Sequence, residues 1–166
     1  AGFGRVQLGE LSFEGGGVAI EDGVESGGFG SALFIVEGEE AAVLGAVLWG
    51  EMAEDQGEVD LPLIKDWPNR PRHIVDHENG KPSKTLWRVL ERDDGETRVA
   101  LTPLTGRTHQ LRIHMAEIGH GILGDCWYGS AESMSARHRL CLHACELGFM
   151  HPETGEALKF QSKAPF

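Results

Sequence analysis

Positive charge is scarce in this chain and long apolar runs are missing, and each scarcity excludes a class of function. Lysine and arginine number 15 against 26 aspartates and glutamates, giving a formal net charge of −11 over 166 residues and a pI near 5.1. Affinity for phosphate backbones comes mainly from Lys and Arg, so a protein that coats nucleic acid non-specifically is excluded and any such site must be local. The longest strongly apolar run, Ala41 to Trp49, is about half of the roughly 20 residues a membrane-spanning helix requires. No basic-then-apolar leader opens the chain, and one soluble, cytoplasmic domain without membrane association is the expectation. The opening residue, Ala1, fits a fragment or a processed form.

Cysteine is also sparse. Cys126, Cys141 and Cys145 are three, so at least one thiol is unpaired, and none of their spacings forms the paired CxxC signature of a zinc site. Buried free thiols in a reducing compartment are the expected state. Cys141 and Cys145 as two small core residues on an extended segment outweigh a redox pair.

What the chain has is unevenly placed. Residues 1–50 hold one basic residue, Arg5, against eight acidic ones, and 13 of the 23 glycines. Glycine at that density raises the cost of ordering, so this stretch reads as loop-rich, with Ser31 to Val36 and Ala41 to Trp49 as the first strands. Prolines in Asp66-Trp67-Pro68-Asn69-Arg70-Pro71 impose an ordered loop. Thr85 to Arg92 and Thr97 to Leu104 read as two strands joined through Asp93-Asp94-Gly95-Glu96, where Asp-Gly tolerates the positive backbone angles of a tight hairpin. Leu111, Met115 and Ile118 recur at helical spacing, giving a helix from about Thr108 to Ile118 stopped by Gly119. Leu140, Leu142 and Ala144 alternate as a strand, and a last strand runs near Leu158 to Gln161 after the turn His151 to Gly155. The class implied is α+β, a mostly antiparallel sheet with a few helices.

Chemistry concentrates in Thr105-Gly106-Arg107-Thr108-His109-Gln110-Leu111-Arg112-Ile113-His114-Met115. Glycine permits a close turn, an exposed helix start offers unpaired N–H groups, and Arg107 adds charge, a combination suited to a phosphate-sized anion. Arg112 lies at the edge of the apolar stripe. Its guanidinium either faces a cleft and holds a carboxylate ionised, or forms a surface salt bridge, and spacing alone favours the second. His109 and His114 are five apart and do not share a helix face as the zinc pattern requires, so no metal site is expected. Among the tryptophans, Trp67, beside Arg70 and Arg72, is the candidate for an exposed stacking surface; the others read as core. His73 and His77 read as surface loop residues.

The run Thr105 to Met115, continued by Gly119-His120-Gly121-Ile122-Leu123-Gly124-Asp125 and Tyr128-Gly129, resembles the signature TGRTHQLRVHM…GHPILGD…YG of RluA-type RNA pseudouridine synthases. Leu142-His143-Ala144, His151 to Gly155, and Gly80-Lys81-Pro82 with Thr85 extend the match over roughly Leu48 to Phe166. Asp60-Leu61-Pro62-Leu63-Ile64 and the loop from Asp66 to Pro71 are similar to the subgroup acting on tRNA anticodon arms and large-subunit rRNA. The resemblance implies isomerisation of uridine to pseudouridine, no cofactor or metal, a monomer, and a uridine flipped out of a stem-loop. It also implies a single domain over 1–166, with 48–166 the family-like core and 1–47 divergent. The expected RNA contacts are Arg107, His109, Gln110, Lys81, Arg70 and Trp67.

In such enzymes the nucleophile is an aspartate in HRLDxxTSG, paired with an arginine at the position of Arg112. Here that motif is replaced by Ala19-Ile20-Glu21-Asp22-Gly23-Val24-Glu25-Ser26-Gly27, which keeps the spacing and makes Asp22 the candidate nucleophile. The stacking tyrosine of the family appears as Leu44. Two readings stay open: an active isomerase, and a catalytically silent RNA-binding remnant whose first third derives from a truncated or frame-shifted gene. They part at Asp22.

Overall fold

The computed structural model describes residues 41–166. The expected strand Ser31–Val36 and the candidate Asp22 lie outside the described residues. Ten elements follow one another: β1 (Ala41–Trp49), β2 (Gln56–Asp60), β3 (Leu63–Lys65), β4 (His73–Val75), β5 (Lys84–Asp93), β6 (Glu96–Pro103), α1 (Gln110–Glu117), α2 (Ala131–Ser135), β7 (Leu142–Met150) and β8 (Ala157–Gln161). Six strands form one sheet in the order β2-β5-β6-β1-β7-β8, and β3 pairs with β4 in a separate ribbon. Every strand pairing among the described residues is antiparallel, which fits the α+β class read from the sequence.

The β5–β6 hairpin closes through Asp94 and Gly95, both with positive φ (48° and 76°), as a two-residue turn between right-twisted strands demands. β6 alternates half-buried and buried positions along its length, so Thr97, Val99, Leu101 and Pro103 point inward. β1 is central, and Leu44, Ala46 and Leu48 on it are fully buried against Val99 and Leu101 of β6 and Met115 of α1 in one cluster. Side chains of this size each contribute roughly 1.5–3 kcal/mol on burial.

Helix α1 starts two residues later than the periodicity implies. His109 sits at its N-cap in the left-handed region (φ 57°) and forms no side-chain cap. The C-terminus closes as expected at Gly119 (φ 86°), whose N–H bonds the Ala116 carbonyl while His120 N–H bonds that of Met115, a Schellman arrangement. The amphipathic expectation fails for this helix. Gln110, Arg112 and His114 are buried along with Leu111, Ile113 and Met115, because each polar side chain finds a partner inside the protein.

β2, β3, β4 and α2 were not legible. β2 buries only Val59, and β3 and β4 are three residues each, too short to show a period. Cys141 is buried, Cys145 half-buried and Cys126 exposed, so the expectation of buried thiols is corrected for Cys126, which lies in the turn before Trp127. Among the described residues no helix is long and apolar enough to cross a membrane.

Candidate active site

Arg112 lies on the third position of α1, with its side chain 5% exposed. Its Nε donates to Asp125 Oδ2 at 2.8 Å and its Nη2 to Oδ1 at 2.7 Å, the two-pronged geometry that suits a planar guanidinium. The surface salt bridge favoured by spacing alone is therefore corrected: the pair is buried. Its acid comes from the sharp turn after Ile122-Leu123-Gly124. Asp125 Oδ1 accepts two further hydrogen bonds, from the backbone N–H groups of Trp127 (2.9 Å) and Tyr128 (3.1 Å). One carboxylate thus grips the arginine and closes the turn that places both rings beside it, 4.9 Å and 5.0 Å from the guanidinium carbon.

An aromatic cluster surrounds this pair. His109 packs edge-on against His73, Trp127 and Tyr128, and its Nδ1 lies 2.9 Å from the Tyr128 hydroxyl. That hydroxyl also accepts the His73 backbone N–H at 2.9 Å. The oxygen therefore takes one hydrogen from His73 and shares a second hydrogen bond with His109 Nδ1, whose donor follows from the tautomer of the ring. Burial first, then the Arg112 and His73 charges, push the His109 pKa down to about 4, with Asp125 opposing. His73, read as a surface loop residue, sits instead in strand β4, half-buried against His109, with its Nδ1 buried and without a hydrogen-bond partner. Behind the rings, Arg72, His73, Ile74, Trp127, Tyr128 and Gly129 help to line a groove of about 560 Å³.

The remaining sequence candidates divide into two groups. Gln110 is 1% exposed. Its Oε1 accepts from Thr105 Oγ1 and Arg107 N, and its Nε2 donates to the Lys84 carbonyl and Thr85 Oγ1. All four valences are used, so Gln110 ties the 105–109 loop to β5 and leaves nothing for RNA, a correction to its expected role. The helix start is likewise buried at residues 110–112, with Gln110 N–H taken by the Arg107 carbonyl, so the exposed N-terminus expected to hold a phosphate is not there. His114 is fully buried and held between Thr85 Oγ1 (2.9 Å) and the Leu61 carbonyl (3.1 Å), which makes it a core histidine.

Arg107, Lys81, Arg70 and Trp67 face outward. The Arg107 Nε donates to the Pro82 carbonyl at 3.2 Å, which brings it next to exposed Lys81. Trp67 is 60% exposed, with the Arg70 guanidinium 4.4 Å and the Lys65 amine 5.0 Å from its ring centre. Asp66 and Asn69 brace that loop through a 2.9 Å side-chain bond and the Asp66 N–H to Arg72 carbonyl bond. The other tryptophans split: Trp87 is buried as expected, Trp49 is 39% exposed, and Trp127 flanks Arg112. Sequence reasoning gave no role to Asp125, Trp127, Tyr128 or His73. The first three had a signal only as the fixed order Gly-Asp…Tyr-Gly, which carries no distance to Arg112, and His73 had none.

The neutral state of His109 has a consequence for stability. An unfolded histidine titrates near 6.5, so the contribution of His109 is complete above that pH and is lost as pH falls through about 4. Burial lowers His114 in the same direction. Urea unfolding midpoints should therefore fall between pH 6.5 and 4.5, and His109→Asn, whose side chain tolerates the left-handed backbone, should flatten that fall. Equal slopes for the two proteins would contradict this assignment.

A mostly antiparallel α+β domain with a buried arginine–aspartate pair flanked by two aromatic rings is the class the fold and site define, and comparison with known proteins gives its family. The chain belongs to the RNA pseudouridylate synthase family, whose model matches residues 33–117. It is 53% identical over 122 residues to the dual-specificity RNA pseudouridine synthase RluA of Pasteurella multocida, covering 73% of this chain and 56% of that protein. The Escherichia coli protein of the same name is 48% identical over the same shares. Human RNA pseudouridylate synthase domain containing 1 superposes with a TM-score of 0.68 at 32% identity, over 76% of this chain and 56% of that one. The chain spans a little over half the length of the curated relatives it matches.

Proposed function

We propose that this chain acts as an RNA pseudouridine synthase, isomerising uridine to pseudouridine in structured RNA, with a tRNA anticodon arm or a large-subunit rRNA stem-loop as substrate. Family membership supports the reaction, and the dual specificity named for its relatives supports more than one RNA substrate. The observation that carries the reading is the buried Arg112, gripped on one edge by Asp125 and covered by the rings of Trp127 and Tyr128. A fixed, water-poor positive charge of this kind keeps an approaching carboxylate ionised and oriented for attack. In the proposed reaction Asp22 supplies that carboxylate, the N1–C1′ bond breaks, the base turns, a C5–C1′ bond forms in its place, and C5 gives up its proton while N1 gains one.

RNA is held locally by the exposed basic side chains Lys81 and Arg70 and the half-buried Arg107, with Trp67 as the stacking surface. Base stacking on an aromatic is worth about 1–3 kcal/mol, so Trp67→Ala should weaken stem-loop binding by roughly 5- to 150-fold, in a fluorescence anisotropy titration at fixed salt. Unchanged affinity would remove Trp67 from the interface.

The second reading, a silent RNA-binding remnant, is favoured by Glu25 in place of threonine beside Asp22 and by Leu44, which is fully buried in the core and offers no ring to a base. Pseudouridine assayed in both RNAs with wild type and Asp22→Asn separates the two. Product from the wild type alone supports the isomerase with Asp22 as nucleophile. Binding without product from either protein supports the remnant.

A further inference from the structure

Tyr128 is the only tyrosine of the chain, and three segments meet on it. Its N–H is held by Asp125 Oδ1, its hydroxyl oxygen accepts from His73 at the start of β4, and the same hydroxyl is hydrogen-bonded to His109 Nδ1 at the mouth of α1. Its ring meanwhile lies 5.0 Å from the Arg112 guanidinium carbon. Asp125 grips two of the guanidinium nitrogens, and the ring packed beside the guanidinium carbon limits how the group can tilt. We infer that Tyr128 is a positioning residue for Arg112, its hydroxyl locking the ring that sets the orientation of the guanidinium. The catalytic part of this inference rests on the isomerase reading above; the geometric part does not.

A hydroxyl that only helps the fold would, when removed, lower stability and leave turnover per folded molecule unchanged. A positioning hydroxyl acts on the rate, because a displacement of about 1 Å at a reacting group costs roughly 100-fold. Tyr128→Phe keeps the ring and deletes both hydroxyl bonds.

The first measurement is hydrogen exchange at the Arg112 Nε–H, followed by ¹⁵N NMR and assigned by its loss in Arg112→Lys. Tyr128→Phe should exchange at least about tenfold faster, as the guanidinium gains tilt. The second is steady-state pseudouridine formation on a stem-loop, where kcat should fall at least about tenfold with KM within about threefold. His109→Asn, which removes the ring nitrogen hydrogen-bonded to the hydroxyl, should change both in the same direction, and the double variant should be no worse than the more affected single one. It also serves if Tyr128→Phe fails to fold. Exchange at wild-type rates in the folded variants overturns the inference, as does unchanged kcat when the wild type is active. If the wild type forms no pseudouridine, the isomerase reading falls and the exchange rate alone decides the role of Tyr128.

Discussion

Asp125→Ala is expected to lower the free energy of unfolding by about 3–5 kcal/mol, because it removes the carboxylate that grips a buried guanidinium through two hydrogen bonds. That is a large share of the 5–15 kcal/mol typical of whole domains. The carboxylate is fully buried and accepts from Nε and Nη2 of Arg112 and from the amides of Trp127 and Tyr128. Its loss therefore leaves both a charge and two backbone donors short of an acceptor. Replacing both charges together, as Arg112→Met with Asp125→Leu, should cost less than Asp125→Ala alone, since no isolated charge is then buried. Recovery should be partial, because the two amides stay unsatisfied. Urea unfolding of the three proteins checks this, and a loss below about 1 kcal/mol in Asp125→Ala would show that the pair is not what holds the turn.

Gly124→Ala should be nearly as damaging, by about 2–5 kcal/mol, for steric reasons at one residue's remove. Gly124 has φ 75°, and a Cβ there would overlap the Arg139 carbonyl oxygen, with the carbonyl carbon 2.5 Å away. The left-handed backbone costs a non-glycine residue roughly 1–2 kcal/mol, and forcing the packed Arg139 backbone away adds about 1–3 kcal/mol. Neither can relax freely, because Gly124 N–H is bonded to the Ser133 carbonyl and Cys141 N–H to that of Leu123. For a chain of this length such a loss corresponds to a melting temperature lower by roughly 5–15 °C. A shift under about 2 °C in a thermal melt would mean that the segment yields easily. Any shift of this segment carries Asp125 with it and so disturbs Arg112.

The sheet and the helix were legible wherever a segment is long enough to repeat its pattern. The Asp94-Gly95 hairpin, β1 and the stop at Gly119 all follow from local stereochemistry. The short ribbon of β3 and β4 left no such trace. Helix α1 misled because periodicity assigns polar residues to solvent, whereas Gln110, Arg112 and His114 are buried and paired with Thr105, Asp125 and Thr85. Those partners lie 5, 13 and 29 residues away, distances over which spacing alone is silent. The resemblance to a known family placed Arg112 at the site, and only three dimensions showed that Asp125, Trp127 and Tyr128 fix it.

The central claim is that Arg112 is the fixed charge of an RNA-isomerising site, and Arg112→Lys tests it most directly. Lysine keeps the positive charge and loses the planar fork that Asp125 grips. Single-turnover pseudouridine formation on a stem-loop should fall at least about 100-fold in the folded variant, with RNA affinity within a few-fold of wild type. A folded Arg112→Lys protein that forms pseudouridine at the wild-type rate would contradict the account.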